Sequence, residues 1–432
     1  MDVKSNLKTA YAEQEGSSTH LASFQSENWK TFSGMGIPAL KHEEWKYIPV
    51  KNIFRDEMNI ALSSSSIDEK IIKKSILPGT EKANMIFFVN GRFQSTLSII
   101  HEKEALVVKS LEIAAGDEDA IFVEKNLGHS QAYHPDGVNA INGAFAAGGV
   151  FIKLMKGKIL AQPLMIYHFS DSSNGFRFSQ PRILASIEAS AQITIVETYI
   201  NIGGGESLTN EVIEICTGRD SITKYIKLQN EGKHSNHTGT THVRQLERSN
   251  THAVTITLDG AIVRNNLNMV MEDEHAESHM YGLYLLNGNT IADNHTIVDN
   301  RMPHCESNEL YKGIMDEKST GVFNGKIFVR KDAQKTNAYQ SNKNILIGEQ
   351  ASANTKPQLE IFADDVKCSH GCTIGKLDED ALFYLKARGI SEKNAKALLL
   401  HAFASDILGQ IENEAIKQHI EQLISERLTF EG

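Results

Sequence analysis

The sequence predicts a mainly β protein in which a long series of short strands lies between two helical ends. Three observations predict this fold class. Helix periodicity nearly vanishes between residues 149 and 365. Short β-rich segments follow one another there, at the spacing of roughly 8–12 residues that is typical of all-β proteins. Many of them alternate apolar and polar residues, as 183–187 does, which indicates strands that bury one face.

The length of this β region favours a stacked solenoid. About 200 residues of short strands exceed a single sandwich of about 100 residues. A parallel β-helix uses many similar strands, because each turn buries an inward stripe of small and branched side chains against the next. No strict sequence repeat is present, so a large jelly roll or a pair of sandwiches remains the alternative.

Composition fits a globular protein and argues against several functions. The chain has 432 residues, of which 41% are hydrophobic and 23% charged, and a formal charge of −10. General nucleic-acid binding usually requires a basic surface, which this balance does not favour. Four cysteines exclude a disulfide scaffold and fit a reducing compartment. The sequence has neither a long apolar run nor a signal-peptide pattern, so we expect a cytoplasmic protein.

Residues 1–82 are predicted to form a helical N-terminal region rich in loops. An amphipathic pattern covers 21–29, and a helix-breaking Gly-Met-Gly-Ile-Pro sequence follows at 34–38. The segment 85–93 then predicts a strand, an Asn-Gly turn and a second strand. It begins a predicted β core that spans residues 83–374.

Residues 375–432 are predicted to form a small helical domain. Asp378 caps a first helix, Gly389 ends it as a left-handed stop, and Ser391 caps the second helix. The second helix has an apolar face made of Ala395, Leu398, Leu399, Ala402, Phe403 and Ile407. The final helix has one made of Ile416, Ile420, Leu423 and Ile424. So small a unit can hardly stabilise itself, and we expect it to pack on the β core or on a partner.

The segment 364–372 concentrates side chains that bind metals. It holds two of the four cysteines, Cys368 and Cys372, together with His370, in a segment predicted to be a turn. Thiolate and imidazole suit zinc, copper and iron–sulfur clusters, so these three residues are candidate cluster or metal ligands. Their spacing is not a usual zinc pattern, and the alternative is an exposed loop whose cysteines fill small spaces.

His304 and Cys305 are secondary candidates, which could complete such a site if the fold brings them near. A cysteine beside a β-rich segment is usually part of the core, and Cys216 is assigned there. Eight histidines occur within 234–304, but none forms a His-Glu-x-x-His motif. Positions on a polar ladder are favoured for them over a histidine-lined site.

Nucleotide-binding and hydrolase motifs are missing from the sequence. The segment 371–377 differs from a phosphate loop, because its glycines are separated by three residues instead of four and Leu377 replaces the magnesium-binding Ser or Thr. The nucleophile-elbow pattern Gly-x-Ser-x-Gly is also missing. We therefore do not expect this chain to hydrolyse ATP by itself.

Several of these segments resemble the SufB/SufD family, the scaffold subunits of the Suf iron–sulfur cluster assembly system. The resemblance is carried by 355–371, which contains the motif Cys368-Ser369-His370-Gly371, and by 377–390. Upstream, 303–307 and 322–327 fit as well. The Glu-Glu-Trp-Lys-Tyr sequence at 43–47 and the chain length are similar to the SufD branch rather than the SufB branch.

The resemblance implies a right-handed parallel β-helix flanked by N-terminal and C-terminal helical domains. It implies a non-catalytic subunit that pairs with SufB, while the ATPase SufC binds the C-terminal helices and hydrolyses ATP. A transient iron–sulfur cluster would be shared with SufB, with His370 as the ligand from this chain and Cys368 also matching the motif. Cys372 departs from the family pattern, which has a small residue there.

The resemblance also suggests where SufC would dock. Leu398, Phe403 and Ile407 are the docking candidates, and packing within the chain is the alternative use of that face.

A neutral imidazole is needed to ligate iron, so cluster assembly is expected to weaken in mild acid.

Other functions stay open at this point. One is a β-helix enzyme that acts on an acidic polysaccharide, and another is a zinc-dependent or thiol-dependent enzyme that uses Cys368, His370 and Cys372. The sequence also leaves open a homodimer of the isolated chain and the binding of a reduced flavin by the assembled complex.

Overall fold

The computed structural model describes residues 3–14, 16, 18–39, 41–63 and 65–428. The predicted terminal regions 1–82 and 375–432 therefore extend slightly outside the described residues. The fold is mainly β, and its strands stack into a solenoid of about eight turns with helices at both ends. This confirms the predicted fold class and excludes the jelly roll and the paired sandwiches.

The helices lie mainly at the two ends of the chain. In chain order they are α1 (Val3–Gln14), α2 (Ala22–Met35), α3 (Val50–Ile53), α4 (Glu69–Ser75), α5 (Leu111–Ala114), α6 (Ala120–Asn126), α7 (Gly137–Ala144), α8 (Glu379–Ala387), α9 (Glu392–Leu408) and α10 (Glu414–Leu428). Short 3₁₀ turns occur at Glu43–Trp45, His129–Ala132 and Ala146–Gly148.

The strands occupy the middle of the chain. They are β1 (Asn59–Ile60), β2 (Asn84–Val89), β3 (Arg92–Phe93), β4 (Leu106–Ser110), β5 (Val150–Leu154), β6 (Leu164–Asp171), β7 (Arg177–Ser179), β8 (Arg182–Ile187), β9 (Gln192–Ile202), β10 (Ser207–Thr217), β11 (Ile222–Asn230), β12 (Ser235–Gln245), β13 (Asn250–Asp259), β14 (Ile262–Met271), β15 (Glu277–Leu286), β16 (Ile291–Asn300), β17 (Glu306–Met315), β18 (Thr320–Val329), β19 (Asn337–Leu346), β20 (Ser352–Ile361) and β21 (Lys367–Gly375).

Two parallel sheets form the walls of the solenoid, and successive strands alternate between them. The first sheet has the order β20-β18-β16-β14-β12-β10-β8-β5-β4, and β1 and β7 join it at one side. The second sheet has the order β21-β19-β17-β15-β13-β11-β9-β6-β2-β3. Each turn of the chain therefore adds one strand to each sheet, and the side chains between the sheets fill a closed lumen.

The lumen is packed layer on layer, and glycines make room for its largest side chains. In the register of β15 and β17, Gly282 lies opposite Tyr311 and Tyr284 lies opposite Gly313. Both tyrosines are almost fully buried. A Cβ atom at Gly313 would lie 2.2 Å from Cε2 of Tyr284 and 2.5 Å from Oδ1 of Asn344. The two turns fit together because each tyrosine ring covers a position without a side chain.

The terminal helices cover opposite outer faces of the solenoid. At the N-terminus, α2 and α7 pack together, and their apolar residues form one cluster with Leu208 of the first sheet. At the C-terminus, α9 and α10 bury Leu400, Ile407 and Ile420 against the second sheet. The small C-terminal unit thus shares a core with the solenoid, as its size required.

The predicted helix signals in the C-terminal unit are confirmed. The Asp378 carboxylate accepts a hydrogen bond of 3.0 Å from the Ala381 amide, and the Ser391 hydroxyl accepts one of 3.3 Å from the Asn394 amide. Gly389 has a φ of +84° just after α8, which favours glycine over other residues. The Asn-Gly turn is also confirmed, since it joins the antiparallel strands β2 and β3.

Residues 43–45 form an N-terminal clasp that reaches the last turns of the solenoid. Nη1 of Arg264 donates a 2.5 Å hydrogen bond to the Glu44 carbonyl, and its guanidinium lies 4.9 Å from the Trp45 ring. Lys326 Nζ lies 2.7 Å from Glu44 Oε1, and Lys356 pairs with Glu43. His295 and Lys326 hold the pKa of the Glu44 carboxyl far below its usual range. These contacts join the start of the chain to strands formed much later.

The two ends of the solenoid differ. At its beginning, the antiparallel strands β3 and β4 close the two sheets. At its end, β20 pairs with β18 and β21 pairs with β19, and within the described residues no further strand follows in either sheet. Most of β21 is exposed. In the described part of the chain, no helix is long and apolar enough to cross a membrane.

Gly313→Ala tests the packing of the lumen. The added methyl group would overlap the Tyr284 ring, so we expect a loss of about 1–3 kcal/mol in the free energy of unfolding, as for other overpacked cores. Denaturant unfolding followed by near-UV circular dichroism measures it. Gly375→Ala is the matched control, because a Cβ atom there would meet nothing within 4 Å. Equal stability of the two variants would contradict this account of the lumen.

Candidate functional site

The three predicted ligands at 368–372 lie on β21, the last strand of the second sheet. The prediction of a turn in this segment was wrong. Its serine, cysteine and glycine residues have little intrinsic preference for strands, but parallel pairing with β19 imposes the extended conformation. Cys368 lies opposite Ala338, His370 opposite Gln340, and Cys372 opposite Asn342.

This register places Cys368, His370 and Cys372 on the lumen-facing side of β21. The residues opposite them, at 338, 340 and 342, are all buried in the lumen. Within the described residues, no later turn covers β21, so His370 and Cys372 are exposed and Cys368 is half-buried. The three side chains thus form a row at the open end of the solenoid, which we call the terminal row.

The spacing of the terminal row determines what it can bind. Alternate residues of a strand lie about 6.6–6.8 Å apart, too far for three side chains to surround one ion. Among the described residues, the groups of three ligand atoms close enough for a single metal do not include this row. Each residue can instead offer one thiolate or imidazole ligand to a group held across the open end.

A buried polar column lies in the lumen below the terminal row. Gln340 Nε2 donates a 2.7 Å hydrogen bond to Glu309 Oε2, and Asn342 Nδ2 donates one of 3.0 Å to the Tyr284 hydroxyl. Burial raises the pKa of Glu309 to about 7. The lumen below the terminal row is therefore polar, a feature that sequence analysis did not identify.

His304 and Cys305 lie away from the terminal row. The Asn337 amide donates to the Cys305 carbonyl, and the Lys367 amide donates to the Thr336 carbonyl. The turn that contains Thr336 and Asn337 therefore lies between Cys305 and β21. Two strand spacings correspond to about 9.6 Å. Cys305 is buried, and the His304 ring stacks on His275 with ring centroids 4.8 Å apart. The structure does not bring this pair together with the three ligands of β21.

The four free cysteines differ in accessibility. Burial raises the pKa of the Cys216 thiol to about 12 and that of the Cys305 thiol to about 11. Burial also raises the pKa of the Cys368 thiol, which is half-buried, whereas Cys372 is exposed. A thiolate is the form that reacts and binds metals, so the two cysteines of the terminal row are the accessible ones.

The docking candidates on α9 occupy three different environments. Leu398 is 52% exposed, Phe403 is partly buried against the second sheet, and Ile407 is completely buried. The Lys312 ammonium lies 4.6 Å from the centre of the Phe403 ring. Packing within the chain thus uses Ile407 and much of Phe403, and leaves Leu398 accessible.

Two further exposed aromatic residues lie on α8, which sequence analysis did not single out. Phe383 is 74% exposed and Tyr384 is 57% exposed. Helices α8 and α9 pack against each other. We call Phe383, Tyr384 and Leu398 the α8–α9 patch. Its signal in the sequence was weak, because an aromatic pair in a short helix is more often part of a core.

Four of the eight histidines within 234–304 stack in pairs between successive turns, whereas His237, His242 and His295 are buried, so a solvent-facing ladder describes only part of them. His252 and His279 lie opposite each other on β13 and β15, and their ring centroids are 4.4 Å apart. His237 is different, because it is buried inside the lumen. Its nearest charged neighbours include Glu211 and Glu231. Sequence analysis missed this group of buried charged residues. Glu197 was a signal of it, because it follows the apolar residues 193 and 195 at the same two-residue spacing.

A separate cavity of about 510 Å³ lies between the N-terminal clasp and the first sheet. Its lining includes Trp45, His134, Arg264 and His295. Burial lowers the pKa of His134 to about 3, so that ring is neutral at physiological pH. None of the ligands predicted from the sequence lines this cavity.

Comparisons with known proteins agree with this architecture. Residues 168–403 match the SufBD core domain of SUF system iron–sulfur cluster assembly, and residues 7–166 match the SufBD protein N-terminal region. The chain is 28% identical over 395 residues to iron–sulfur cluster assembly protein SufD of Escherichia coli, covering 91% of this chain and 90% of that protein. It is 30% identical over 401 residues to an iron–sulfur cluster assembly SufBD family protein of Synechocystis, covering 90% and 87% respectively.

Alkylation of the native protein tests the accessibility of the cysteines. At mildly alkaline pH we expect iodoacetamide to modify Cys372 first and Cys368 more slowly, because burial raises the Cys368 pKa and reduces its thiolate fraction. Cys216 and Cys305 should react only after denaturation. Peptide mass spectrometry at successive times measures the four rates, and Cys372→Ser identifies the fast site. Rapid modification of native Cys305 would contradict the structure.

Proposed function

The chain belongs to the SufBD family of iron–sulfur cluster assembly proteins, and from this premise we propose that it is a non-catalytic scaffold subunit that pairs with SufB and binds the ATPase SufC. Its own contribution to cluster assembly is the terminal row. The cluster is the cargo of this scaffold and not a permanent part of it. ATP hydrolysis is assigned to SufC, since this chain has no phosphate loop.

The observation that carries the proposal is the position of Cys368, His370 and Cys372 on the open end of the solenoid. Soft ligands at a solvent-accessible end suit a cluster that must be built and then released. Their separation along the strand prevents a closed site within one chain. The proposal therefore places the remaining ligands on SufB, and the cluster between the two subunits.

His370 is the central ligand in this proposal. It is exposed, and it lies between the two cysteines of the terminal row. An exposed imidazole nitrogen is an accessible ligand for iron. Cys368 is assigned a supporting role because it is half-buried and its raised thiol pKa leaves less thiolate. Cys372 is a further accessible ligand that the usual family motif lacks.

The free backbone edges of β20 and β21 support pairing with another β subunit. An unpaired strand edge presents amide and carbonyl groups that a partner strand can bind. The terminal row lies on one of these strands. A partner that docks here would cover the row and supply ligands at the same time.

The α8–α9 patch is the proposed docking surface for SufC. Its three residues remain exposed, although α9 and α10 bury Leu400, Ile407 and Ile420 on the solenoid. Exposed aromatic and leucine side chains on adjacent helices are typical anchors of protein interfaces. Ile407 is excluded from the surface because it is completely buried, and Phe403 contributes at most its exposed edge.

A His370→Ala variant tests the role of the terminal row. We expect anaerobic reconstitution with SufB and SufC to give a several-fold lower cluster yield, because one iron ligand is removed while the fold is unchanged. Absorption and circular dichroism of the cluster measure the yield. The matched control is His234→Ala, an exposed histidine in the turn between β11 and β12. An unchanged yield in His370→Ala would remove this residue from the proposal.

Charged substitutions in the α8–α9 patch test SufC docking. We expect Phe383→Glu and Leu398→Glu each to weaken SufC binding at least about tenfold, which corresponds to about 1.4 kcal/mol. Binding can be measured by calorimetry or by co-purification with the full-length chain. Ile121→Glu is the control, because Ile121 is 81% exposed on α6, outside the patch. If all three variants bind SufC equally, the dock lies elsewhere.

A further inference from the structure

Gln340 lies in the lumen directly below His370 of the terminal row. The two residues are opposite each other in the register of β19 and β21, and Glu309 is opposite Gln340 in the register of β17 and β19. We propose that Gln340 is a positioning residue for the iron ligand: its side-chain carbonyl accepts a hydrogen bond from the Nδ1–H of His370 and leaves Nε2 of that ring free to bind iron. This role rests on the proposed function, which makes His370 a ligand.

The side-chain oxygen of Gln340 lacks a donor. Gln340 is only 3% exposed, although it belongs to the last turn but one. Its Oε1 is buried and has no hydrogen-bond partner within the described residues. An unpaired buried oxygen is costly, and most such atoms in folded proteins have a partner. The atom therefore indicates that a donor arrives when the open end is covered.

Glu309 fixes the orientation of the Gln340 amide. Gln340 Nε2 donates a 2.7 Å hydrogen bond to Glu309 Oε2, one turn below. A carboxyl group keeps acceptor capacity in both protonation states, so this orientation does not depend on the charge of Glu309. The oxygen and nitrogen occupy the two arms of one planar amide. An amide whose nitrogen bonds the turn below thus presents its oxygen to the turn above, as in glutamine ladders.

The opposite wall of the lumen offers this oxygen no side-chain donor at the same level. A Cβ atom at Gly325 of β18 would lie 2.2 Å from Gln340 Nε2, so the amide lies against bare backbone there. Pro357 of β20 is opposite Gly325 in the next turn, and it has neither an N–H group nor a polar side chain. At this level of the last turn, the donor that remains is the imidazole of His370.

The spacing of the strands suits a hydrogen bond between the two side chains. Paired strands lie about 4.8 Å apart, and the carbonyl bond of Gln340 covers about 1.2 Å of that distance. Cδ of Gln340 and Nδ1 of His370 are each two bonds from Cβ, so they reach the same depth in the lumen. Rotation of the ring then brings Nδ1 to the usual hydrogen-bond distance of about 2.7–3.2 Å. The contact needs a side-chain rotation and no movement of the backbone.

This hydrogen bond selects the ring nitrogen that binds iron. A ligating histidine usually donates its other N–H to a carboxylate or carbonyl group, which fixes the tautomer and raises the basicity of the ligand. Glu309 strengthens the effect through Gln340, because hydrogen bonds in a chain polarise one another. Without this support, an exposed ring changes rotamer rapidly, which opposes retention of a cluster.

A Gln340→Leu variant of the full-length chain tests the role. The chain is labelled with ¹⁵N-histidine, combined with unlabelled SufB and SufC, and reconstituted anaerobically. We expect a chelator to remove the cluster about tenfold faster than from the parent complex, as for the loss of other hydrogen bonds to metal ligands. We also expect pulsed EPR of the reduced cluster to show a weaker ¹⁵N coupling, which His370→Ala assigns to His370.

Two further variants separate positioning from stability. Asn344→Leu is the matched control, because Asn344 is a similarly buried amide on β19 that lies opposite Ile374, outside the terminal row. We expect it to lose the cluster at the parent rate. The double variant Glu309→Gln with Gln340→Glu exchanges the carboxylate and the amide. It keeps their mutual hydrogen bond and still offers His370 an acceptor, so we expect the parent rate again. Circular dichroism establishes that each variant has folded.

The possible failures are distinguishable. A parent complex whose cluster shows no ¹⁵N coupling from His370 would overturn the proposed function, and the role of Gln340 with it. A clear coupling and a rate of cluster loss that Gln340→Leu leaves unchanged would overturn the role of Gln340 alone. Equal losses from Gln340→Leu and Asn344→Leu, or a folded exchange variant that does not recover the parent rate, would also overturn it.

Discussion

The whole structure depends on parallel pairing between successive turns of the chain. Each inner strand of the two sheets completes its backbone hydrogen bonds with the strand one turn before it and the strand one turn after it. The side chains between the sheets must therefore fit against those of the neighbouring turns. At some positions rings stack turn on turn, as Phe88, His168 and Tyr199 do, and at others a large residue lies against a glycine. Tyr284 and Gly313 meet this requirement in the register of β15 and β17.

Because pairing needs a neighbour on each side, the ends of the solenoid determine where other molecules can bind. Antiparallel strands close the beginning, and helices cover the outer face of each sheet. Within the described residues, the last turn has unpaired strand edges and an accessible lumen-facing side of β21. The same regularity that builds the core thus creates one chemically distinct end, and the terminal row lies there.

Much of the fold could be predicted from local patterns. The helix caps at Asp378 and Ser391 and the turn at Asn90 depend on a few neighbouring residues, and apolar alternation identified many strands. Strands such as β12 and β19 escaped prediction because they are rich in polar residues. Their extended conformation and burial come from pairing with turns that are distant in sequence.

The candidate site shows the same limit. The residue types in 368–372 indicated soft-metal chemistry. That the three side chains share one side of a strand could not be predicted, because it follows from the register with β19. On α9, the predicted apolar face is so wide that Leu398 and Ile407 lie on opposite sides of the helix. The structure buries the side that carries Leu400, Ala404 and Ile407, and leaves Leu398 exposed. A helical pattern shows which residues share a face, but the partner decides how far that face is covered. The internal carboxylates were missed because they interrupt otherwise apolar strands.

The N-terminal clasp has a consequence for biosynthesis. Glu44 binds Lys326, which is 282 residues later in the chain, and Glu43 binds Lys356, which is 313 residues later. At a translation rate of about 5–20 residues per second, the clasp waits roughly 15–60 s for its docking strands to leave the ribosome. Residues 43–45 are therefore synthesised early but complete their contacts only after β18 and β20 have been made.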